Sequence, residues 1–486
     1  MSPFDDSMIT DADIFQVLRK FNPWWTLKHF CSFPFRRVAF ADLYHWFSIP
    51  GFRRAVVISG ARRVGKTVLL HQLVEQLITD SRDPRTILYL SLDHPILKLA
   101  GLDRSLSVYR QNVLPGPSEV VLLLDEIQYV RDWGTWIKHA VDFDPNLRIV
   151  ATGSAALDIQ QIGEESGTGR WVTIKLPTLS FYEFLAMKGI DLPELPPDLR
   201  ILNLERFSPK ERADLIGKTV HLQDYFHRYL LLGGFPELIA LEDLEDAYRL
   251  LREDVVDKVL KRDMTSSFSV RNVLELEKLF IFICLHSGGL FDKKTVATQL
   301  ELSAPTVERF LRYLESANLI YRLWPIRDGG KLVLKGRPKV YVGDVSLRNA
   351  VLMKGEEFLA DSTEMGRNVE SAVFKHFQSF YYHQRPIMGY WRSTGRKPVE
   401  VDLILQFPTR IVPVEVKYKE RVIVTRKDGL SMFSKKAKVN KAICVCKRPD
   451  DLSVETIPEG MGVLLKIPAY LLLFLLGHVE RGLWDV

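Results

Sequence analysis

The chain has 486 residues, 47% of them apolar and 26% charged, with a formal charge of +6. So long a chain exceeds a single core and predicts two to four domains; its composition excludes a disordered polymer, and its mild positive charge permits a polyanionic partner without demanding one. Its four cysteines, Cys31, Cys284, Cys444 and Cys446, are spaced for neither a zinc knuckle nor a disulfide framework, which predicts a reducing cytoplasm.

The opening MSPFDDSMITDAD is acidic and lacks the apolar stretch of a signal peptide. Residues 1–50, with FNPWW and further aromatics, predict a leader packed onto the neighbouring domain. From 51 to 180 short apolar runs alternate with helical patterns: AVVIS, TILYLSL, VVLLLDE, LRIVATGS and WVTIKLP. Runs that short, apolar on both faces, predict parallel strands covered by helices.

After the first run stands Gly60-Ala61-Arg62-Arg63-Val64-Gly65-Lys66-Thr67, then Val68 and an amphipathic helix. This spacing is a phosphate-binding loop. Glycines let backbone N–H groups curl around phosphate oxygens, and the helix N-terminus adds positive potential. Lys66 is placed for the β- and γ-phosphates of ATP and Thr67 for Mg²⁺. The third run ends in Asp125-Glu126. Adjacent acids at the end of a buried strand are costly unless a cation faces them. Asp125 is expected to hold Mg²⁺ through water, and Glu126 to polarise the attacking water.

The next run ends in Thr152, Gly153 and Ser154. A hydroxyl there reads equally as a contact to the γ-phosphate or lytic water and as a helix cap or turn. Arg170, after the glycine-rich GEESGTG, reads either as a finger for a neighbouring subunit's nucleotide or as a solvated loop residue.

From LSFYEFLAMKG to about residue 265 the pattern is helical, broken by the proline-rich DLPELPPDLR at 191–200. Within 266–345 a helix ending near Leu300 precedes one capped by Ser303 that buries Val307, Phe310, Leu311 and Leu314. Two strands follow around Asp328-Gly329-Gly330, with Arg327, Lys331, Lys335, Arg337 and Lys339 about the tip. This is a helix-turn-helix with a basic wing, suited to DNA phosphates. Units of this kind also serve only protein contacts, and Glu308 on the outer face argues against base reading.

Residues 346–486 begin helical and return to strands, including EVDLILQFPTRIVPVEVK at 400–417. Pairing Gln406 with Ile411 brings Asp402 opposite Glu415 and Glu400 opposite Lys417; other registers that keep the same faces shift this by two. Facing carboxylates repel unless Mg²⁺ bridges them. Lys417 beside such a pair suits metal-assisted phosphodiester hydrolysis. The other reading is an ion-pair lattice in which Lys417 and Arg410 neutralise the acids. The apolar VLLKIPAYLLLFLLG, interrupted by Lys466 and Pro468, is too short to span a bilayer and predicts a strand and a terminal helix.

NPWW, GARRVGKT, LLLDEIQ, TGS, GR before LSFYEFL, and YLLLGGFPE occur in the order seen in AAA+-type ATPases of bacteria and archaea that carry a C-terminal nuclease-like domain, and nearly the whole chain resembles that family. The form D-x12-E-V-K resembles the PD-(D/E)XK nuclease signature, and Glu370 in GRNVESAVFKHF matches that family's helical acid. No proline precedes Asp402 and no glutamine motif follows Lys417, two departures that put cleavage in doubt more than fold.

The resemblance implies an α/β fold: a P-loop AAA+-type parallel sheet (51–180) after the leader (1–50), a helical lid (181–265), a winged helix (266–345) and a PD-(D/E)XK-like α/β domain (346–486). It implies that Ser154, with Thr152 as the alternative, is the sensor, that Arg170 is the finger, and that Gly233-Gly234-Phe235-Pro236 lies in the lid beside the adenine. Asp402 and Glu415 would hold a second Mg²⁺, with Glu370 and Lys417 completing the site. The expected protein is an oligomeric, Mg²⁺-dependent ATPase, a hexameric ring among its assemblies, that remodels, translocates or cuts duplex, forked or branched DNA. The alternative is a nucleotide-switched scaffold with a silent nuclease-like domain.

Overall fold

Five short apolar runs build one parallel sheet: Ala55–Ser59 (β1), Ile87–Ser91 (β2), Val120–Asp125 (β3), Leu147–Gly153 (β4) and Trp171–Lys175 (β5). Their order is β2-β3-β4-β1-β5. Every residue of β1, β2 and β3 is buried, which is why these strands read as unbroken apolar runs and not as alternation. All five run the same way. The loop after β1, Asp125 at the end of β3 and Thr152 near the end of β4 therefore share one edge of the sheet, where ligands of open α/β folds bind.

The computed structural model describes residues 9–26, 33–153, 169–196, 199–263, 272–327, 333, 336–380, 386–460 and 462–482. The chain divides into two units, Met1–Pro177 and Thr178–Val486.

In the first unit the FNPWW segment has a defined task. β2 is an edge strand, and an edge presents unpaired backbone groups. The Asn22 amide donates to Tyr89 O (3.0 Å) and accepts from Tyr89 N (2.7 Å). The indoles of Trp24 and Trp25 both donate to Ile87 O, at 3.1 and 2.9 Å. The preceding helix Asp11–Phe21 starts at a capping box between Thr10 and Asp13 and buries Ile14 and Leu18 in the same core as Leu88 and Leu90.

The second unit holds an antiparallel pair that joins Ile320–Leu323 (β6) to Lys339–Val342 (β7). Ahead of it, Ser303 caps the helix Ala304–Ser316, which buries Val307, Phe310, Leu311 and Leu314 at the spacing expected of an amphipathic face. The tip of the pair, with Lys331 and Lys335, lies outside the described residues. The same unit holds a separate mixed sheet of six strands: Ile387–Arg392 (β8), Glu400–Gln406 (β9), Ile411–Val416 (β10), Lys441–Cys446 (β11), Ser453–Thr456 (β12) and Val463–Pro468 (β13). Their order is β12-β13-β11-β10-β9-β8. The last apolar run is β13 followed by the helix Ala469–Gly482. Among the described residues no helix is long and apolar enough to cross a membrane.

Asp344, just after β7, is the polar centre of this unit. Its carboxylate accepts from Thr178 Oγ1 (2.5 Å), Gly234 N (3.1 Å), and Ser346 N and Oγ (3.0 and 2.8 Å), and lies 3.4 Å from Lys375 Nζ. Gly233 adopts φ +67°, and a Cβ there would stand 1.9 Å from Asp344 Oδ1. Only glycine fits that approach.

Candidate functional site

The loop after β1 is shaped for an anion. Arg63 and Gly65 both adopt left-handed backbone (φ 64° and 96°), the alternation that turns successive N–H groups inward into a concave nest. Lys66 opens the helix Lys66–Thr79; it is 5% exposed and its ammonium donates to Gly60 O and Ala61 O at 3.1 and 2.9 Å. The lysine is thus folded over the loop that phosphates would fill. Val64 is buried, and its carbonyl accepts from Arg37 Nη1 (3.1 Å), which also reaches Pro177 O (2.7 Å). Val68, half-buried, continues the helix.

Asp125 faces this loop across the sheet edge. Thr67 Oγ1 donates to Asp125 Oδ2 (2.8 Å), Tyr89 OH donates to the same oxygen (2.8 Å), and Thr152 Oγ1 donates to Oδ1. Burial pushes the Asp125 carboxyl up; the Thr152 bond opposes this and the Glu126 charge adds to it. A carboxylate so placed is relieved by a cation in front of it. Thr67 and Asp125, a hydroxyl and a carboxylate in contact, are the donor types Mg²⁺ takes, so the residues fit that ion. Glu126 leaves the strand in the left-handed region (φ 57°) and accepts from Gln128 Nε2. Such backbone in a non-glycine residue costs about 1 kcal/mol or more.

Thr152 is buried and its hydroxyl also accepts from Glu126 N (3.2 Å), so it orients the two acids. Ser154 lies outside the described residues. Arg170 pairs with Asp142 at 3.3 Å. It precedes β5, whose Trp171 pairs with Ala55 at the start of β1, whereas the phosphate loop leaves the end of β1. Five strand residues, about 16 Å, separate those ends.

In the second unit Gln406 pairs with Ile411, and the ladder continues to Leu403 with Val414. There the Asp402 carboxylate interrupts it by accepting from Val416 N (2.9 Å). The expected neighbour of Asp402 is a divalent ion shared with Glu415. A lysine ammonium occupies the centre instead: Lys339 Nζ lies 2.6 Å from Glu400, 3.1 Å from Asp402 and 3.2 Å from Glu370. Lys339, expected among the exposed basic residues of the wing, is 3% exposed. The reason is strand parity, since Lys339 and Tyr341 share a face of β7 and both reach Glu370, Tyr341 OH at 2.7 Å. Burial pulls the Lys339 ammonium down, and the fields of Glu370, Asp402 and Glu400 together reverse that and hold it well above its usual range.

Lys417 is paired with Asp428, which also accepts from Thr425 N and Oγ1 at 2.6 and 2.7 Å. Glu415 Oε2 is buried with no hydrogen-bond partner among the described residues. Among the described residues no group of three or more His, Cys, Asp or Glu side chains is arranged to hold a metal ion. Asp402, expected to share a divalent ion with Glu415, accepts from Val416 N and faces the Lys339 ammonium.

Residues 52–185 match a family model described as an AAA domain. Residues 223–357 and 365–470 match two models described as domains of unknown function, DUF8612 and DUF4143. Together with the loop and Asp125 geometry, the first match supports a P-loop ATPase core. An uncharacterized protein of Haemophilus influenzae is 28% identical over 371 residues, covering 75% of this chain and 82% of its own. The uncharacterized protein MJ1637 of Methanocaldococcus jannaschii is 26% identical over 430 residues, 86% of this chain and 84% of its own. Solved structures align only loosely. The S. cerevisiae Hsp104-ADP complex has a TM-score of 0.29 at 13% identity, over 72% of this chain and 45% of its own. AMPPCP-bound DnaA from Aquifex aeolicus has 0.23 at 14%, over 60% and 92%. Scores that low carry no weight for fold or function.

Three residues of the ATPase core escaped the motif reading: Tyr89, Arg37 and Gln128. Tyr89 left one signal, a hydroxyl inside the apolar run TILYLSL, since a buried phenol needs a partner.

Glu415 gives a pH test. Burial pushes its carboxyl from an ordinary 4.5 up to about 9, with Asp402 adding and Lys417 opposing; Cys444 and Lys339 also face it. The folded state therefore holds a proton that the unfolded state has lost between those values, and stability falls as pH rises through that window. Glu415→Gln is expected to raise the melting temperature by a few degrees at pH 8.5 and hardly at all at pH 4.5. A shift that is equal at both pH values removes the assignment.

Proposed function

We propose that the protein is a Mg²⁺-dependent ATPase acting on DNA, with ATP bound and hydrolysed at Lys66, Thr67, Asp125 and Glu126 and the DNA engaged by the second unit. The observation that carries the ATPase half is the 2.8 Å contact of Thr67 with a buried Asp125 beside a left-handed glycine loop. Thr67 and Asp125 would hold the ion, which when bound supplies neutralising charge at the β- and γ-phosphates. Lys66 draws in the same phosphates, the Gly60–Gly65 backbone orients them, and Glu126 positions the attacking water. Ser154 as sensor, Arg170 as a finger toward a like subunit and Pro236 beside the adenine belong to this reading by family resemblance. So do assembly into a ring and the division of 181–486 into lid (181–265), winged helix (266–345) and PD-(D/E)XK-like domain (346–486).

The DNA half is supported by basic side chains open to solvent: Arg309 and Arg312 on the helix Ala304–Ser316, and Lys419, Arg421, Lys427 and Lys438 around β10. Such groups bind phosphates without reading sequence. Glu308, by contrast, is tied to Arg322 (2.8 Å) and Lys293 (3.3 Å) and is structural. The ammonium among the C-terminal acids favours a domain that grips DNA over one that cuts it.

ATP turnover measured with supercoiled, forked and four-way-junction DNA tests this. DNA should stimulate turnover several-fold, and R309E/R312E should remove most of the stimulation while leaving turnover without DNA intact. DNA binding that leaves turnover unchanged points to the nucleotide-switched scaffold. Cleavage with Mg²⁺ or Mn²⁺ that disappears in Asp402→Ala and Lys417→Ala establishes a nuclease and overturns the gripping role.

A further inference from the structure

An ammonium group has three N–H donors and no acceptor. Lys339 places one at hydrogen-bond distance from each of Glu400, Asp402 and Glu370. A surface lysine satisfies no such set, because holding a flexible four-carbon chain in one geometry costs rotamer entropy. Here three carboxylates offset that cost, and β7 fixes the backbone from which the side chain reaches them. β7 is bonded to β6 on one side and to residues 288–291 on the other, through Gly288 N to Val340 O (2.8 Å), Val340 N to Gly289 O (3.2 Å) and Phe291 N to Pro338 O (2.8 Å). The carboxylates are held as firmly. Glu370 sits on the helix Ser362–Phe380, where Phe374, one turn on, stacks against Tyr341 with centroids 4.2 Å apart. Asp402 is tied to Val416 N, and Glu400 pairs with Arg392 across β8 and β9.

We infer that Lys339 is a built-in cation: it takes the place among Glu370, Glu400 and Asp402 that a divalent ion would otherwise occupy, and makes this acid cluster independent of metal. Two consequences separate this from a surface ion pair. The intact protein has no divalent-ion site at the cluster. Removing the ammonium takes the shared counter-ion from Glu370, Glu400 and Asp402, with Arg392 still 3.7 Å from Glu400, and the cluster then recruits a hard divalent cation, the class that takes oxygen ligands. ATP turnover plays no part in this, so loss of the ATPase reading leaves it standing.

The test is Mn²⁺ binding to the full chain without nucleotide, followed by the electron paramagnetic resonance signal of the free ion and by thermal melting. In the wild type, Asp402→Asn should leave Mn²⁺ binding unchanged. Lys339→Met should gain a site that binds Mn²⁺ at least about tenfold more tightly than the wild type does, a step of one modest interaction. That site should vanish in K339M/D402N, and Mn²⁺ should raise the melting temperature of K339M more than that of the wild type or of K339M/D402N. A wild-type Mn²⁺ site that D402N abolishes overturns the inference, whether or not K339M folds. A folded K339M with no more affinity than the wild type also overturns it.

Discussion

Lys66→Ala is expected to reduce ATP turnover by at least about 10²-fold, the scale set by removing one preorganised positive group from a site where negative charge must be held. The variant should still fold. Lys66 bonds to two loop carbonyls, and these accept water once the side chain is gone. Asp402→Ala, in the other unit, should keep turnover within a factor of a few. Stopped-flow phosphate release on both variants, each first shown by circular dichroism to be folded, checks the separation. An equal loss in the two sinks it, because the ATPase would then depend on a residue with no place in its phosphate loop.

Asp344→Ala is expected to have the largest effect on stability. Asp344 is 1% exposed and serves Thr178, Gly234, Ser346 and Lys375 together. Truncation leaves the Lys375 ammonium, 4% exposed in its side chain, without its carboxylate; Leu179 O and Tyr229 OH, at 2.5 and 2.8 Å, remain to it. Breaking a buried pair in this way costs about 3–5 kcal/mol, or roughly 5–8 °C in a unit of this size. Asp344→Asn should cost less, since an amide oxygen still accepts from Gly234 N and Ser346 N. A melting temperature within about 1–2 °C of wild type for the alanine variant, a shift of about 1 kcal/mol, would show that water replaces the carboxylate and that the hub is not buried.

What could be read from the sequence depended on how local the information was. The phosphate loop, Asp125-Glu126 and the helix capped by Ser303 are set by neighbours within a few residues, and β1, β2 and β3 announce themselves by being apolar on both faces, while β5 is only partly buried. The Gln406–Ile411 pairing was legible too, because a short connection leaves few registers open. Its end at Leu403 was not, since the Asp402 side chain takes a backbone position there.

Lys339 is the plainest failure of local reading. It stands 63 residues from Asp402, and in its own neighbourhood of Arg337, Lys335 and Lys331 it looks like one more wing cation. Parity places it on the face of Tyr341, but nothing nearby says that this face is buried against acids. Gly233-Gly234 carried a partial signal. Paired glycines announce a close approach, and what approaches is Asp344, more than a hundred residues away.

The bonds from Asn22, Trp24 and Trp25 to the outer strand mean that the match beginning at residue 52 does not mark where folding can begin. A chain trimmed to that point would bare the carbonyl of Ile87 and both backbone groups of Tyr89 along an apolar strand. Free strands of that kind recruit one another between molecules. The two tryptophans and the asparagine thus act as a stopper against stacking into aggregates, a service invisible to any comparison that starts at the nucleotide fold.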